Sequence, residues 1–108
     1  LGDVYKRQGE NVAEYAHKLR VADEVIGKIR AALKPDDIMV VMADHGNDPT
    51  IGHPHHTREK VPLLIAGSHK KPQCIGERAT LSDVGATAAD YFHAPAPQNG
   101  TSFLPLLR

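Results

Sequence analysis

The sequence predicts an α/β fold, a mostly parallel sheet flanked by helices. Three features predict it: a long amphipathic stretch, two short and continuously apolar runs, and a second helical pattern near the end. Helix, strand, loop, strand, helix is part of a layered α/β domain.

Residues 10 to 33 read as the first helix. Val12, Tyr15, Ala16, Leu19, Ala22, Ile26, Ile29 and Leu33 recur at steps of three and four and line one face, with mostly polar positions between them. Pro35 ends the helix, because the residue before a proline is pushed out of the helical region. Asp36 and Asp37 make the turn. Ile38 to Met42 is apolar throughout, rich in β-branched residues and too short for a helix. That pattern predicts a strand buried on both faces, as in parallel sheets. Residues 61 to 66 form a second such run, with Pro62 near its start and Gly67 closing it. Residues 68 to 79 read as a surface loop. A shorter helix is expected over 82 to 92, capped by Thr80 or Ser82, with Val84, Ala88, Tyr91 and Phe92 as its apolar face. Residues 93 to 100 read as irregular. Phe103, Leu104, Leu106 and Leu107 form an apolar tail that must dock.

Composition narrows the function classes. A chain of 108 residues suffices for one small domain. Formal net charge is +0 with both signs interspersed, so no footprint for nucleic acid or an anionic membrane stands out. No apolar run approaches a membrane span, and no signal peptide is visible. Cys74 is the single cysteine, which rules out an internal disulfide and fits a cytoplasmic protein. Leu1 stands where an initiator Met is absent, so the chain reads as a fragment. Residues 1 to 8 are expected to be a non-native leader, and residues 9 to 108 the C-terminal part of a metal-binding core domain.

The chemistry concentrates between residues 38 and 59. The first predicted strand runs directly into Asp44-His45-Gly46, and His53, His55 and His56 follow on the next loop. Ligands of open α/β sheets sit beyond the carboxyl ends of strands. Metal ions need deprotonated carboxylates and neutral imidazoles that converge. Gly46 supplies freedom for the break that turns Asp44 and His45 toward one site. Spacing alone does not select among His53, His55 and His56. Elsewhere the plainer readings prevail. His17 belongs to the polar side of the first helix, His69 to a solvated basic loop, and His93 to a helix C-terminus that favours a cation. Arg58 and Glu59 read as a surface ion pair.

Ala43-Asp44-His45-Gly46-Asn47-Asp48-Pro49-Thr50, with His56-Thr57-Arg58-Glu59 and Val61-Pro62, closely resembles the phosphopentomutases of the alkaline phosphatase superfamily. Ser82-Asp83-Val84-Gly85-Ala86-Thr87 and Asn99-Gly100-Thr101-Ser102-Phe103-Leu104 are similar to that family's C-terminal segments. The likeness runs from residue 9 to 104. It implies a partial alkaline-phosphatase-like core and two divalent metal ions, typically manganese. It also implies a phosphorylated pentose substrate, with ribose 1-phosphate and 5-phosphate, or the deoxyribose equivalents, interconverted in nucleoside salvage. By the resemblance, Asp44 and His45 ligate one ion and His56 helps ligate the other. The family's nucleophilic threonine has no counterpart here. Gln8 stands where the family's earlier Asp and His pair, five apart, needs its histidine. The chain by itself is therefore expected to be inactive. Gly52-His53-Pro54-His55-His56 departs from the family's loop, which carries an aspartate before its last histidine. The nearest rival is a cofactor-independent phosphoglycerate mutase, or another phosphotransferase or phosphatase of the superfamily. The Asp48-Pro49 and Thr57-Arg58-Glu59 runs favour the first reading. A non-catalytic metal-binding module is the other class; structural zinc sites are closed by four ligands, often cysteines.

Overall fold

A computed structural model describes residues 12–46, 60–67 and 72–107. The chain divides into two compact units, Leu1–Ser68 and His69–Arg108.

In the first unit, helix α1 spans Val12–Ala31. Glu14 in its first turn and Lys28 and Arg30 in its last complement the helix dipole. The helix stops two residues short of the predicted end. Ala32 N–H donates to Ile29 O at 3.0 Å and Leu33 N–H to Arg30 O at 3.3 Å, so the last turn tightens to a three-residue spacing. Pro35 then sits second in the turn 34–37. Asp37 N–H donates to Lys34 O at 3.0 Å, and Lys34 N–H donates to Asp37 Oδ2 at 2.8 Å. Proline presets φ at that turn position, and the aspartate gives the Lys34 N–H, just past the helix, its acceptor.

Strands β1 (Ile38–Met42) and β2 (Leu63–Gly67) follow. β2 starts two residues later than predicted, just after Pro62, which has no N–H to give to a ladder. The two strands pair antiparallel, Ile38 opposite Gly67, Val40 opposite Ile65 and Met42 opposite Leu63. The mostly parallel sheet expected from the sequence is not what this pair forms. An unbroken apolar run reports that both faces favour cover; it carries no information on strand direction. Neither strand holds a buried residue, and Leu64 points outward at 60% exposure.

In the second unit, α2 spans Ser82–Tyr91, and a 3₁₀ turn covers Leu104–Leu107. The apolar tail docks as expected. Phe103 is fully buried, and Leu104 and Leu107 are buried with Ala86 of α2. The buried face of α2 differs from the predicted one. Asp83, Ala86 and Thr87 face inward, whereas Ala88 is exposed and Phe92 is 75% exposed, stacked edge-on against Tyr91 at 5.0 Å. Hydrogen bonds decide this. Thr101 N–H donates to Asp83 Oδ1 at 2.9 Å, and Arg78 Nε donates to Asp83 Oδ2 at 2.8 Å. Thr87 Oγ1 donates to Asp83 O at 2.7 Å and accepts from Phe103 N–H at 2.9 Å. Buried polar groups paired this fully hold the returning segment on the helix. Gly100 makes the close approach possible. Its φ is 99°, and a Cβ there would overlap the Ser82 carbonyl. Neither Thr80 nor Ser82 caps the helix as expected: Leu81 holds the cap position without a side-chain cap, and Thr80 Oγ1, one residue earlier, accepts from Ser82 N–H at 3.3 Å.

The end of α2 closes as a Schellman motif. Ala94 N–H donates to Ala89 O at 2.8 Å and His93 N–H to Asp90 O at 3.2 Å, with His93 at φ 56°. A side chain with a Cβ is strained in that left-handed region. His93→Gly is therefore expected to raise stability by about 0.5–1 kcal/mol, part of the strain relief being offset by glycine's entropy. An unchanged or lower thermal midpoint would count against this account.

Candidate metal centre

Asp44 and His45 lie just past the end of β1, at the pole of the strand pair where β2 enters opposite Met42. The side chains do not diverge as they would in a continuing strand. His45 Nε2 stands 3.5 Å from Asp44 Oδ1. Gly46, next in the chain, is buried and forms an isolated bridge. It anchors the break against structure rather than leaving it in solvent.

The backbone also sets the histidine tautomer. His45 Nδ1 lies 2.8 Å from Gly46 O. A carbonyl only accepts, so Nδ1 carries the proton in this bond. In the neutral ring the lone pair then belongs to Nε2, the nitrogen beside the carboxylate. Two donor atoms on one ion at ordinary nitrogen and oxygen ligand distances lie about 3.0–3.5 Å apart. The observed separation and the tautomer both suit a shared divalent ion, with Nδ1 bonded to a carbonyl as metal-bound histidines commonly have it. Asp44 is largely exposed, whereas His45 has only 27% of its side chain accessible. The imidazole is thus the held member of the pair and the carboxylate the accessible one.

Among the described residues, no group of three potential ligands gathers. His53, His55 and His56 lie outside the described residues, as do Arg58, Glu59 and His69. His17 is exposed on α1, and Cys74 is an exposed free thiol. No helix among the described residues is long and apolar enough to cross a membrane.

The model of the metalloenzyme superfamily matches residues 7–96. The chain belongs to that superfamily. This metalloenzyme chain is 44% identical over 94 residues to a phosphopentomutase of Kosmotoga olearia, a match covering 86% of the chain and 24% of the relative. It is 44% identical over 99 residues to that of Symbiobacterium thermophilum, covering 91% and 25%. It is 40% identical over 106 residues to that of Herpetosiphon aurantiacus, covering 97% and 27%. The chain spans about a quarter of the length of these relatives.

The sequence reading missed the Arg78–Asp83–Thr87–Thr101 network, which belongs to the second unit's architecture. The signal was present. The two C-terminal segments noted for their family likeness, 82–87 and 99–104, are the two that these hydrogen bonds join.

Proposed function

We propose that the chain is the C-terminal, metal-binding part of a phosphopentomutase, an enzyme moving a phosphoryl group between the 1- and 5-positions of ribose or deoxyribose. The observation that carries this is identity of 40–44% to enzymes of that name across 86–97% of the chain, joined to the convergent Asp44–His45 pair. In this reading residues 9 to 108 belong to an alkaline-phosphatase-like core, and the whole enzyme works in the cytoplasm on phosphorylated pentoses.

Asp44 and His45 hold one divalent ion, and His56 contributes to a second. Mixed carboxylate and imidazole donors suit manganese. When bound, two such ions polarise a phosphoryl group and neutralise its charge. The chain's own contribution is positioning. The Gly46 carbonyl fixes the His45 ring by holding the proton on Nδ1, so Nε2 is presented to the ion without rearrangement. Asp44 offers its carboxylate beside it.

No nucleophile is assigned within the chain, so the chain alone is expected to leave ribose 5-phosphate unchanged. It is nevertheless expected to bind manganese weakly, and His45→Ala or Asp44→Ala to weaken that binding by at least about 10–100-fold, the range for losing even an outer-shell partner of a metal ligand. Titration calorimetry or manganese EPR reads this. Equal affinity in parent and variants would refute the assignment.

A further inference from the structure

Residues 94 to 101 are exposed throughout and carry no charged side chain, and Asn99 lies in a bend directly before Gly100. Among the described residues, nothing hydrogen-bonds the Asn99 side chain or the Gly100 N–H. Gly100 has no Cβ to shield its amide nitrogen, and glycine reaches the dihedrals that closure of a ring onto the preceding side chain needs. We infer that Asn99-Gly100 is a site of spontaneous deamidation, in which the Gly100 amide closes a succinimide on Asn99 and water reopens it as aspartate or isoaspartate. A base in solvent takes the Gly100 amide proton. The nitrogen bonds to Asn99 Cγ, the Cγ–Nδ2 bond breaks, and the nitrogen that leaves picks up a solvent proton to become ammonia. One water then adds across a C–N bond of the ring. Opening at Cγ gives aspartate on an unchanged backbone. Opening at the backbone carbonyl carbon gives isoaspartate, whose main chain runs through Cβ and Cγ.

The position gives the second product a consequence. Isoaspartate lengthens the main chain by one carbon, a bond of about 1.5 Å. Gly100, at φ 99°, already lies so close to the Ser82 carbonyl that a Cβ has no room. The next N–H, of Thr101, donates to Asp83 Oδ1 at 2.9 Å, and such bonds seldom exceed about 3.2 Å. Upstream the chain is pinned where Ala94 N–H meets Ala89 O at 2.8 Å. Pro95 and Pro97 stand between the two anchors with φ fixed, so that stretch takes up little slack. The added carbon therefore displaces the Thr101 end and releases residues 101–103 from α2. The aspartate product has no added carbon and leaves them in place. The inference is independent of the proposed function.

The test holds the 108-residue chain in warm, mildly alkaline buffer and follows its asparagines by peptide mass spectrometry, with a carboxyl methyltransferase specific for isoaspartate as the label. Asn11 and Asn47, followed by Val12 and Asp48, are the internal controls. Asn99 is expected to convert at least about tenfold faster than either, because a side chain on the next residue hinders ring closure, and isoaspartate should be among its products. Asn99→Gln, which would need a larger ring, should stay intact at that position. Hydrogen exchange at α2 and residues 101–103 should quicken at least about tenfold in the isoaspartate form and hold the parent rate in Asn99→Asp, which carries the charge without the added carbon. Conversion no faster than at Asn11 or Asn47, or aspartate formed without isoaspartate, overturns the assignment of the site. Parent-like protection in the isoaspartate form, or an equal loss in Asn99→Asp, overturns the release of 101–103.

Discussion

Phe103→Ala is expected to destabilise the His69–Arg108 unit by about 3–5 kcal/mol, the cost of truncating a fully buried aromatic. Phe103 is the one described side chain with no exposure, and only Ala86, Leu104 and Leu107 join it as buried apolar residues. A core this small has little capacity to collapse around the void. The ring also lies under the Arg78 guanidinium, 5.7 Å from its centroid. Truncation therefore removes a cation–π contact, about 0.5–2 kcal/mol at a partly shielded site, from the cation that serves Asp83. Losses on that scale approach the whole stability of a typical domain. Chemical denaturation should show this unit losing its cooperative transition, with hydrogen exchange at α2 amides rising toward unprotected rates. Leu106→Ala, at a 45% exposed position of the same turn, is the control and should cost far less. Comparable losses in the two variants would mean that Phe103 is not the keystone the packing makes it.

How much was legible from sequence follows from what each pattern encodes. β1 was predicted over the residues it occupies, because five consecutive apolar residues between a proline turn and Asp44 leave little choice of register. α1 was placed within two residues at its end, because Pro35 forbids continuation. The apolar tail was rightly expected to dock. Strand direction was not legible, because inward-facing side chains look the same whichever way a neighbour runs. Large α/β sheets do often carry an antiparallel edge. The buried face of α2 was misread for a different reason. Hydropathy ranks Val84 and Phe92 above Asp83 and Thr87, and only the partners at Thr101, Phe103 and Arg78 make the polar residues the ones to bury. Those partners come from loops on both sides of the helix, beyond any local periodicity.

The candidate metal pair divides in the same way. That Asp44 and His45 end a strand is written in the sequence, and so is the glycine that lets the backbone turn. The 3.5 Å approach of their donor atoms and the tautomer set by the Gly46 carbonyl are matters of three-dimensional geometry. Nothing in the spacing of Asp44 and His45 distinguishes Nδ1 from Nε2. A carbonyl one residue away does.

Asp83→Asn is expected to cost the second unit more stability than any other single-atom exchange in it, and the cost should depend on pH. The carboxylate uses both oxygens: Oδ1 accepts from Thr101 N–H, and Oδ2 accepts from Arg78 Nε. An asparagine keeps one oxygen and turns the other position into a donor, so either the Thr101 N–H or the guanidinium loses its acceptor. Leaving one member of a buried ion pair uncompensated is strongly destabilising. The same contacts hold the Asp83 carboxyl below its ordinary value of 3.8. The Thr101 N–H lowers it most and the Arg78 hydrogen bond next, against an opposing push from burial, with Arg78's charge adding to the lowering. A carboxylate whose folded-state value lies below the unfolded one binds its proton more readily in the unfolded chain. Its stabilising contribution is therefore complete above the unfolded value near 3.8 and is lost as pH falls through the lowered folded value. Unfolding midpoints of parent and Asp83→Asn should stand furthest apart at neutral pH and converge in strong acid. Arg78→Met tests the order of the two causes. It removes the guanidinium but spares the Thr101 bond, so it should flatten the acid dependence only in part. A variant gap that stayed constant from neutral pH to strong acid would show that the carboxylate's charge is not what fastens residues 101–103 to α2.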